Sequence, residues 1–210
     1  APLPGVLQVV PSTGTAYSTN FMIACMQFND ADNPLLYSFS YKYISNGRTT
    51  ELVLSRFSIQ NSISEVLLPE GEIRIYAQVA DAYNAITVIS QTINVTKPMV
   101  ASDLTTVSTL FDTVLSSALI DNDIDKSWST LSSAALLINN VCSPTTNSSS
   151  CSPVMDKLFE NLNKTADIVS VKIDANQQLS TLAVATSKTS ELSSKSVTIA
   201  ANCLEKASSY

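Results

Sequence analysis

Apolar and polar residues alternate along the first half of the chain, whereas apolar residues recur every three or four positions along the second half. The change falls near Lys97-Pro98. Alternation places successive side chains on opposite faces of a β-strand, and the longer spacing places them along one face of a helix. The pattern therefore predicts a β-rich domain over residues 1–97 and an α-helical segment over residues 98–210.

The first half carries about seven short strand patterns in roughly 95 residues, separated by turn signals. The clearest patterns are the apolar run FMIACMQF at 21–28, the stretch LLYSFSYKY at 35–43 and the alternating Ile73, Ile75, Ala77 and Val79. Asn46-Gly47 is a strong hairpin signal. The strand at 85–95 changes its apolar face near Ser90, which predicts a bulge. This regular spacing is typical of an all-β sandwich of the immunoglobulin-like or fibronectin-III-like type.

Three helical stripes and a long final stretch follow in the second half. Their apolar positions run over Leu104 to Ala118, Trp128 to Ile138, Met155 to Ala166 and Leu179 to Leu204. The Asp-Asn-Asp run at 121–123 ends the first stripe, and the third is expected to begin after Ser152-Pro153. The stretch from Asn176 to about Ala207 is rich in Ser and Thr, which are mediocre helix formers, so that stretch depends on packing.

Composition excludes several classes of function. The net charge is −6 and no cluster of Lys and Arg is present, which argues against binding to nucleic acid. No apolar run reaches the roughly 18 residues that a membrane span needs, so we expect no membrane insertion within this segment. The chain begins with Ala rather than Met, and a helical pattern runs almost to its end. We therefore expect a piece of a longer protein.

The chain contains no histidine and only four glycines. The lack of histidine removes the Ser-His-Asp and Cys-His arrangements, the commonest general base at neutral pH and the commonest transition-metal ligand. So few glycines leave no phosphate-binding loop of the Walker or dinucleotide type. We therefore expect no enzyme activity and no cofactor.

Two acidic runs are weak candidates for a metal site. Asp30 and Asp32 lie in a turn between strands, and Asp121, Asp123 and Asp125 alternate after the first helix. Calcium prefers several oxygen ligands, which alternating Asp residues can supply. The second run lacks the mid-loop glycine and closing glutamate of a known calcium loop. For both runs the favoured interpretation is turn and capping acids, and no metal is predicted.

The four cysteines, Cys25, Cys142, Cys151 and Cys203, allow three pairings. Cys142 and Cys151 bracket the short loop SPTTNSSS, which can bring their Cα atoms within disulfide distance, so we predict that they pair. Cys25 and Cys203 are then left to pair with each other or to remain free. Since no CxxC or Cys/His spacing occurs, a zinc site is disfavoured.

Three N-glycosylation sequons occur, at Asn94-Val-Thr, Asn147-Ser-Ser and Asn163-Lys-Thr. Asn147 lies inside the cysteine loop, which has to be on the surface. Sequons and disulfides support the same oxidising, extracytoplasmic route. We therefore predict an extracellular glycoprotein that carries N-glycans at these asparagines.

Two motifs resemble a known family. The segment Cys25-Met-Gln-Phe-Asn-Asp-Ala-Asp-Asn-Pro-Leu-Leu-Tyr37-Ser-Phe39 combines a strand cysteine, acidic turn residues and the pattern Pro-Leu-x-Tyr-x-Phe. Leu68-Pro-Glu-Gly71 is followed by Ile75, Val79, Asp81 and Ala85-Ile-Thr. Both are similar to the receptor-for-egg-jelly (REJ) module of polycystin-like proteins. The helical half resembles the Ser-rich segment that follows this module in large cell-surface proteins, where it leads toward an autoproteolytic region.

The resemblance implies the ectodomain of a membrane or cell-surface glycoprotein, often on cilia or gametes and often from protists. It also implies that this part holds no catalytic residue, because the family's self-cleavage motif needs a His-Leu-Ser/Thr triplet and the chain has no His. We therefore expect a non-enzymatic structural or adhesion module at the cell surface or ciliary membrane. Its expected partners are other protein domains or copies of the same chain.

Two alternatives stay open. A ligand-binding or carbohydrate-binding module would expose the aromatic stripe of Tyr37, Phe39, Tyr41 and Tyr43, although such a stripe is more often core. An assembly subunit of an extracellular filament would present a continuous apolar patch on its helices, larger than a monomer normally exposes. Trp128 is expected to anchor the helices to each other or to the sandwich.

Overall fold

The computed structural model describes residues 1–45, 48–97, 104–142, 148–167, 172–187 and 192–208. The chain forms two compact units, Ala1–Pro98 and Met99–Tyr210. The described part of the first unit contains eight strands, and that of the second is helical. The predicted order of a β-rich half followed by a helical half is therefore confirmed.

The eight strands form two sheets. The three-stranded sheet has the order β1-β3-β6, with β1 at Val6–Val10, β3 at Phe21–Met26 and β6 at Ser62–Val66. The five-stranded sheet has the order β2-β8-β7-β4-β5, with β2 at Thr13–Thr15, β8 at Ile86–Thr96, β7 at Gly71–Ala80, β4 at Leu36–Ser45 and β5 at Arg48–Ser58. The paired strands are antiparallel except for β2, which runs parallel to the end of β8.

The core of this unit follows the alternation in the sequence. On β7 the four alternating apolar residues are buried as predicted, namely Ile73, Ile75, Ala77 and Val79. Phe39 and Tyr41 of β4 are buried as well, and Phe21 and Ile23 of β3 contribute from the three-stranded sheet. Burying one face of each strand against the other sheet is what a two-layer sandwich requires.

The predicted bulge near Ser90 is wrong. β7 and β8 pair without interruption from Gly71↔Val95 to Ala80↔Ile86. Because the strand stays regular, Ile86 and Val88 lie on its exposed face while Ile93 and Val95 are buried. The change of apolar face therefore reflects exposed aliphatic side chains rather than an extra residue. The hairpin signal Asn46-Gly47 lies outside the described residues, between β4 and β5.

The helices of the second unit include one that contains a π-helical turn. They are α1 (Leu104–Thr109), a π-helix (Leu110–Leu115), α2 (Ser116–Ile120), α3 (Ile124–Val141), α4 (Ser148–Ala166), α5 (Lys172–Ala185) and α6 (Ser194–Ser208). The first three segments are continuous. Ser116 Oγ donates to the Phe111 carbonyl at 3.2 Å, and this oxygen also accepts the backbone N–H of Ser116 in the widened turn. Asp123 then caps α3 by accepting from the Lys126 N–H, so its predicted capping role is confirmed.

Two predicted helix boundaries are wrong. Helix α4 begins at Ser148, before Ser152-Pro153, so Pro153 lies inside its N-terminal part. The stretch from Asn176 to Ala207 is two helices, α5 and α6, because the Ser193 hydroxyl accepts the N–H of Ser196 and starts a new helix. A hydroxyl at this position satisfies one of the free N–H groups of a helix N-terminus.

Helices α3 to α6 form a four-helix arrangement in which α3 contacts α4 and α5, and α6 contacts the same two helices. Ser132 bonds Thr181, and Asn139 further along α3 bonds the Val184 carbonyl, so α3 and α5 run parallel. Helix α3 is buried along most of its length, including Trp128, which lies in the core of its own unit. No helix in the described ranges is long and apolar enough to cross a membrane.

Candidate functional site

Cys142 and Cys151 form a disulfide with a Cα–Cα distance of 6.0 Å, as predicted. Cys142 follows the last residue of α3, and Cys151 lies in the first turns of α4. Both are buried. The bridge therefore ties two neighbouring helices of one core. Asn147, the sequon in the intervening loop, lies outside the described residues.

Cys25 and Cys203 are free thiols, each buried in its own unit. Burial raises the pKa of the Cys25 thiol to about 12. Burial likewise raises the pKa of Cys203. The pairing of Cys25 with Cys203 is not formed, because one sulfur is enclosed in the sandwich core and the other in the helical core. The sequence left two possibilities for these cysteines, a mutual disulfide or free thiols, and the structure contains free thiols.

The sequon at Asn94 lies on strand β8 with its polar side chains in solvent. Asn94 and Thr96 are both exposed, and Val95 between them is buried. Successive strand residues point to opposite faces, so Asn94 and Thr96 share the outer face of the five-stranded sheet. The Thr96 hydroxyl donates to the Gly14 carbonyl at 3.0 Å.

The sequon at Asn163 lies in helix α4 and has a different geometry. Asn163 Oδ1 accepts from Lys206 Nζ of α6 at 2.9 Å. Thr165 is fully buried, and its hydroxyl donates to the Asn161 carbonyl at 3.0 Å. The asparagine and the threonine of this sequon therefore face different sides of the helix. Asn163 and Lys206 also line a polar groove of about 480 Å³ with Asn202 and Glu205.

Three carboxylates meet where the β3–β4 and β7–β8 connections come together. Oxygens of Asp30, Asp32 and Asp81 lie within 4.8 Å of one another, and within the described ranges this is the one such group of possible metal ligands. Asp30 Oδ1 accepts the N–H of Asp32 at 2.9 Å, and the Asp32 carbonyl accepts the N–H of Ala82 at 3.1 Å. The turn role predicted for Asp30 is therefore confirmed.

Asp81 is the member of this acidic cluster that sequence reasoning did not single out as a ligand. Its side chain is 2% exposed, and one carboxylate oxygen accepts the N–H groups of Tyr83 and Ala85, both at 2.9 Å. The hydrogen bond from Ala85 is the largest cause that lowers the pKa of Asp81. The terminal ammonium of Ala1 lies 3.2 Å from the other oxygen. The signals in the sequence are the position of Asp81 directly after a buried strand and its place in the second REJ-like motif.

Such oxygen ligands fit a hard cation such as Ca²⁺ by their chemistry. The bonds observed at these residues nevertheless hold backbone. The cluster thus joins the β3–β4 and β7–β8 connections at one end of the sandwich.

The aromatic stripe on β4 belongs to the core. Phe39 is fully buried and Tyr41 is 1% exposed, whereas Tyr37 and Tyr43 at the two ends are half-buried. Tyr37 packs edge-on against Phe28, with 6.3 Å between ring centroids. A ligand-binding surface built on the whole stripe is therefore disfavoured, because its central rings face the interior.

Comparison with known families links these features to one module. The sequence model of the REJ domain matches residues 1–133. The match covers the whole sandwich, continues through α1 and α2 and ends within α3. A search of curated proteins finds none that matches the chain.

Proposed function

Because this chain belongs to the REJ domain family, we propose that it is a non-enzymatic structural or adhesion module of a large cell-surface glycoprotein. The module lies on the extracellular side of a plasma or ciliary membrane. It connects other protein domains or copies of the same chain. Its mechanism is passive, since its stiffness comes from packed strands and helices.

The Cys142–Cys151 disulfide is the observation that carries this proposal. It joins α3 to α4 with both sulfurs buried, so the bond belongs to the folded helical core. Disulfides of this kind persist in oxidising compartments and are rare in the cytosol. The bridge therefore supports a route through the secretory pathway.

The strand order supports a sandwich of the immunoglobulin or fibronectin-III type. One sheet has the order β1-β3-β6, and the other places β7 between β8 and β4 with β5 at its edge. The chain leaves the first sheet after β1 and enters the second as β2, which runs parallel to β8. Modules of this architecture are common in extracellular proteins and carry no chemistry by themselves.

The lack of histidine, the commonest general base, supports a non-enzymatic role. The chain has no histidine. Asp81 and Asp156, whose carboxyl pKa values lie below their usual range, accept hydrogen bonds that hold backbone or helix ends in place. A lowered carboxyl pKa disfavours proton transfer near neutral pH.

The filament-subunit alternative receives less support. The large apolar side chains exposed on the described helices are Ile120, Leu179, Val197 and Leu204. They are distributed over three helices, α2, α5 and α6, and a docking surface needs a continuous patch.

The first experiment tests the compartment. The chain is expressed behind a cleavable signal peptide in eukaryotic cells, and intact mass is measured before and after reduction and deglycosylation. We expect secreted protein with one disulfide, at Cys142–Cys151, and with N-glycans. Recovery only as retained, fully reduced and sugar-free chain would count against an extracellular module.

The second experiment tests the mechanical role by single-molecule stretching. Each unit should unfold as a separate event, and the sandwich of about 98 residues should add roughly 350 Å of contour length. A reduced sample should lengthen the event of the helical unit alone. A chain that extends without resistance would contradict a structural role.

A further inference from the structure

Strand β8 is an open edge of the five-stranded sheet. It pairs with β7 from Ile86 to Val95, but β2 covers its other side only at Asn94–Thr96. In the ladders of the described strands, residues 86–93 therefore have no partner on the outer side. An unpaired edge is a template for pairing with a strand of another chain, and natural sheets protect such edges.

The other edge strands carry recognisable protection. β5 contains Glu51 and Arg56, and its register against β4 shifts twice. β6 contains Glu65 at a positive φ, and its register against β3 shifts as well. β1 is five residues long and is followed by Pro11. Charges, irregular pairing, short length and proline are the usual means of blocking edge-to-edge association.

The sequence of β8 has none of these devices, although the chain start contacts the strand where the Thr87 hydroxyl donates to the Pro2 carbonyl at 2.6 Å. Its sequence ITVISQTINVT contains no charge, no proline and no glycine, and its pairing with β7 is regular over the described ladder. Ile86 and Val88 are 47% and 55% exposed. An uncharged segment rich in β-branched residues on an open edge is an aggregation hazard.

Asn94 lies on this strand at the point where the cover by β2 begins. Its side chain is exposed, and Thr96 of the same sequon lies on the same outer face. Ile86 and Val88 also lie on that face, because they are an even number of positions away. From Asn94 to Val88 is six residues, or about 20 Å along the strand.

We propose that an N-linked glycan on Asn94 shields the open edge of β8 from pairing with a second chain. This inference rests on the proposed extracellular function.

The glycan donor is a lipid-diphosphate oligosaccharide of the secretory pathway. The bond between sugar C1 and the diphosphate oxygen breaks, a bond from Asn94 Nδ2 to C1 forms, and the amide loses one proton as the lipid diphosphate departs.

The Asn163 sequon provides the matched control. It lies in α4 beside α6, where no strand edge needs cover. A glycan there is attached to a helix of the other unit rather than to β8. The shielding effect should therefore belong to Asn94 rather than to glycosylation in general.

The test compares four variants of the full chain secreted from eukaryotic cells. Asn94→Gln and Thr96→Ala remove the sequon, whereas Thr96→Ser keeps it and Asn163→Gln removes the control sequon. Glycan occupancy is measured by peptide mass, and association by light scattering during gel filtration at matched concentration. We expect the first two variants to lose the glycan on Asn94 and to form several-fold more dimer and aggregate, and the last two to behave as the parent chain.

A rescue variant separates edge pairing from misfolding. Val88→Lys in the Asn94→Gln background places a charge on the exposed edge and should restore the monomer. Failure of this rescue, or an Asn94→Gln chain as monomeric as the parent, overturns the proposal. A bare Asn94 in secreted protein with the Cys142–Cys151 bridge intact overturns it too, and leaves the proposed function standing. A reduced bridge with every sequon bare overturns the proposed function instead.

Discussion

The two units bury different kinds of side chain. Among the described residues the sandwich buries three polar residues, whereas the helical unit buries eight. The eight are Ser127, Thr130, Ser132, Ser133, Thr165, Gln178, Thr181 and Ser196. The sandwich core is filled with large apolar and aromatic side chains such as Phe21, Phe39 and Tyr41. Both units bury many apolar side chains, but the helical unit also has to provide hydrogen-bond partners for more buried polar groups.

Some of the buried hydroxyls in the helical unit bond to carbonyls within their own helix or at its N-cap. Ser127 donates to the Asp123 carbonyl at 2.8 Å, and Thr130 donates to the Lys126 carbonyl at 2.7 Å. Each bond runs back four residues, which lets a short polar side chain enter a core without an unpaired group. Such bonds remove the free-energy penalty of burying an unpaired hydroxyl, but each contributes only about 1 kcal/mol of net stability.

Cross-links between helices supply the rest. The Cys142–Cys151 bridge joins α3 to α4. Helix α4 then contacts α6 through Asp156 with Ser193 and Ser196, and through Glu160 with Lys195. The comparison predicts that the helical unit unfolds first on heating, because more of its buried side chains are polar.

The largest effect is expected from Trp128, the largest of the fully buried side chains in the described helical unit. Trp128→Ala should cost about 3–5 kcal/mol, as deletion of a buried aromatic side chain generally does. Denaturant unfolding followed by far-UV circular dichroism should show loss of the helical transition and an unchanged sandwich transition. Tyr83→Ala is the control, since Tyr83 is an exposed aromatic residue. Equal stability of Trp128→Ala and the parent chain would contradict a shared helical core.

The next effect concerns the disulfide. The double variant Cys142→Ser and Cys151→Ser should lower the free energy of unfolding by about 2–3 kcal/mol, because the bridge closes a short loop in the unfolded chain. The helical transition should shift to lower temperature in calorimetry, and the sandwich transition should stay. The parent chain in reductant is the matched control and should behave like the double variant. A shift of the sandwich transition instead would mean that the two units do not unfold separately.

A smaller, pH-dependent effect is expected at Asp156. Hydrogen bonds from Ser193 and then Ser196 lower the pKa of its carboxyl below the ordinary 3.8. A carboxyl whose pKa is lower in the folded than in the unfolded state stabilises the fold at pH values above the unfolded pKa. That stabilisation is lost as the pH falls through the folded pKa. At neutral pH, Asp156→Asn should lower the free energy of unfolding by about 1–2 kcal/mol, because the hydrogen bonds of the amide are weaker. Below about pH 4, the stability of this variant should fall less than that of the parent chain. Parallel acid profiles of the two chains would contradict this role.

Sequence reasoning located features with a strong local signal. The alternation of Ile73 to Val79 gave β7, and the short loop between Cys142 and Cys151 gave the disulfide. Both depend on residues near each other in the chain, so no knowledge of the fold was needed. The change of period near Lys97 lies beside the boundary between the units for the same reason.

Features that depend on distant contacts could not be predicted. Ile86 and Val88 are exposed because β8 keeps its register with β7, and nothing in the local pattern fixes that register. Asp81 reaches Asp30 only through the folding of two loops at one end of the sandwich. The break between α5 and α6 depends on Ser193, one hydroxyl residue among many in that stretch.

The smallest effect should come from the exposed ion pair one turn away from Asp156. Lys195 and Glu160 are in contact, yet their side chains are 58% and 44% exposed. Water and salt screen such a pair, and ordering two long side chains offsets most of the attraction. Glu160→Gln should therefore leave the helical transition within measurement error of the parent chain, in low and in high salt alike. A shift as large as that of Asp156→Asn would show that exposed charge, rather than the bonds from Ser193 and Ser196, holds α6 against α4.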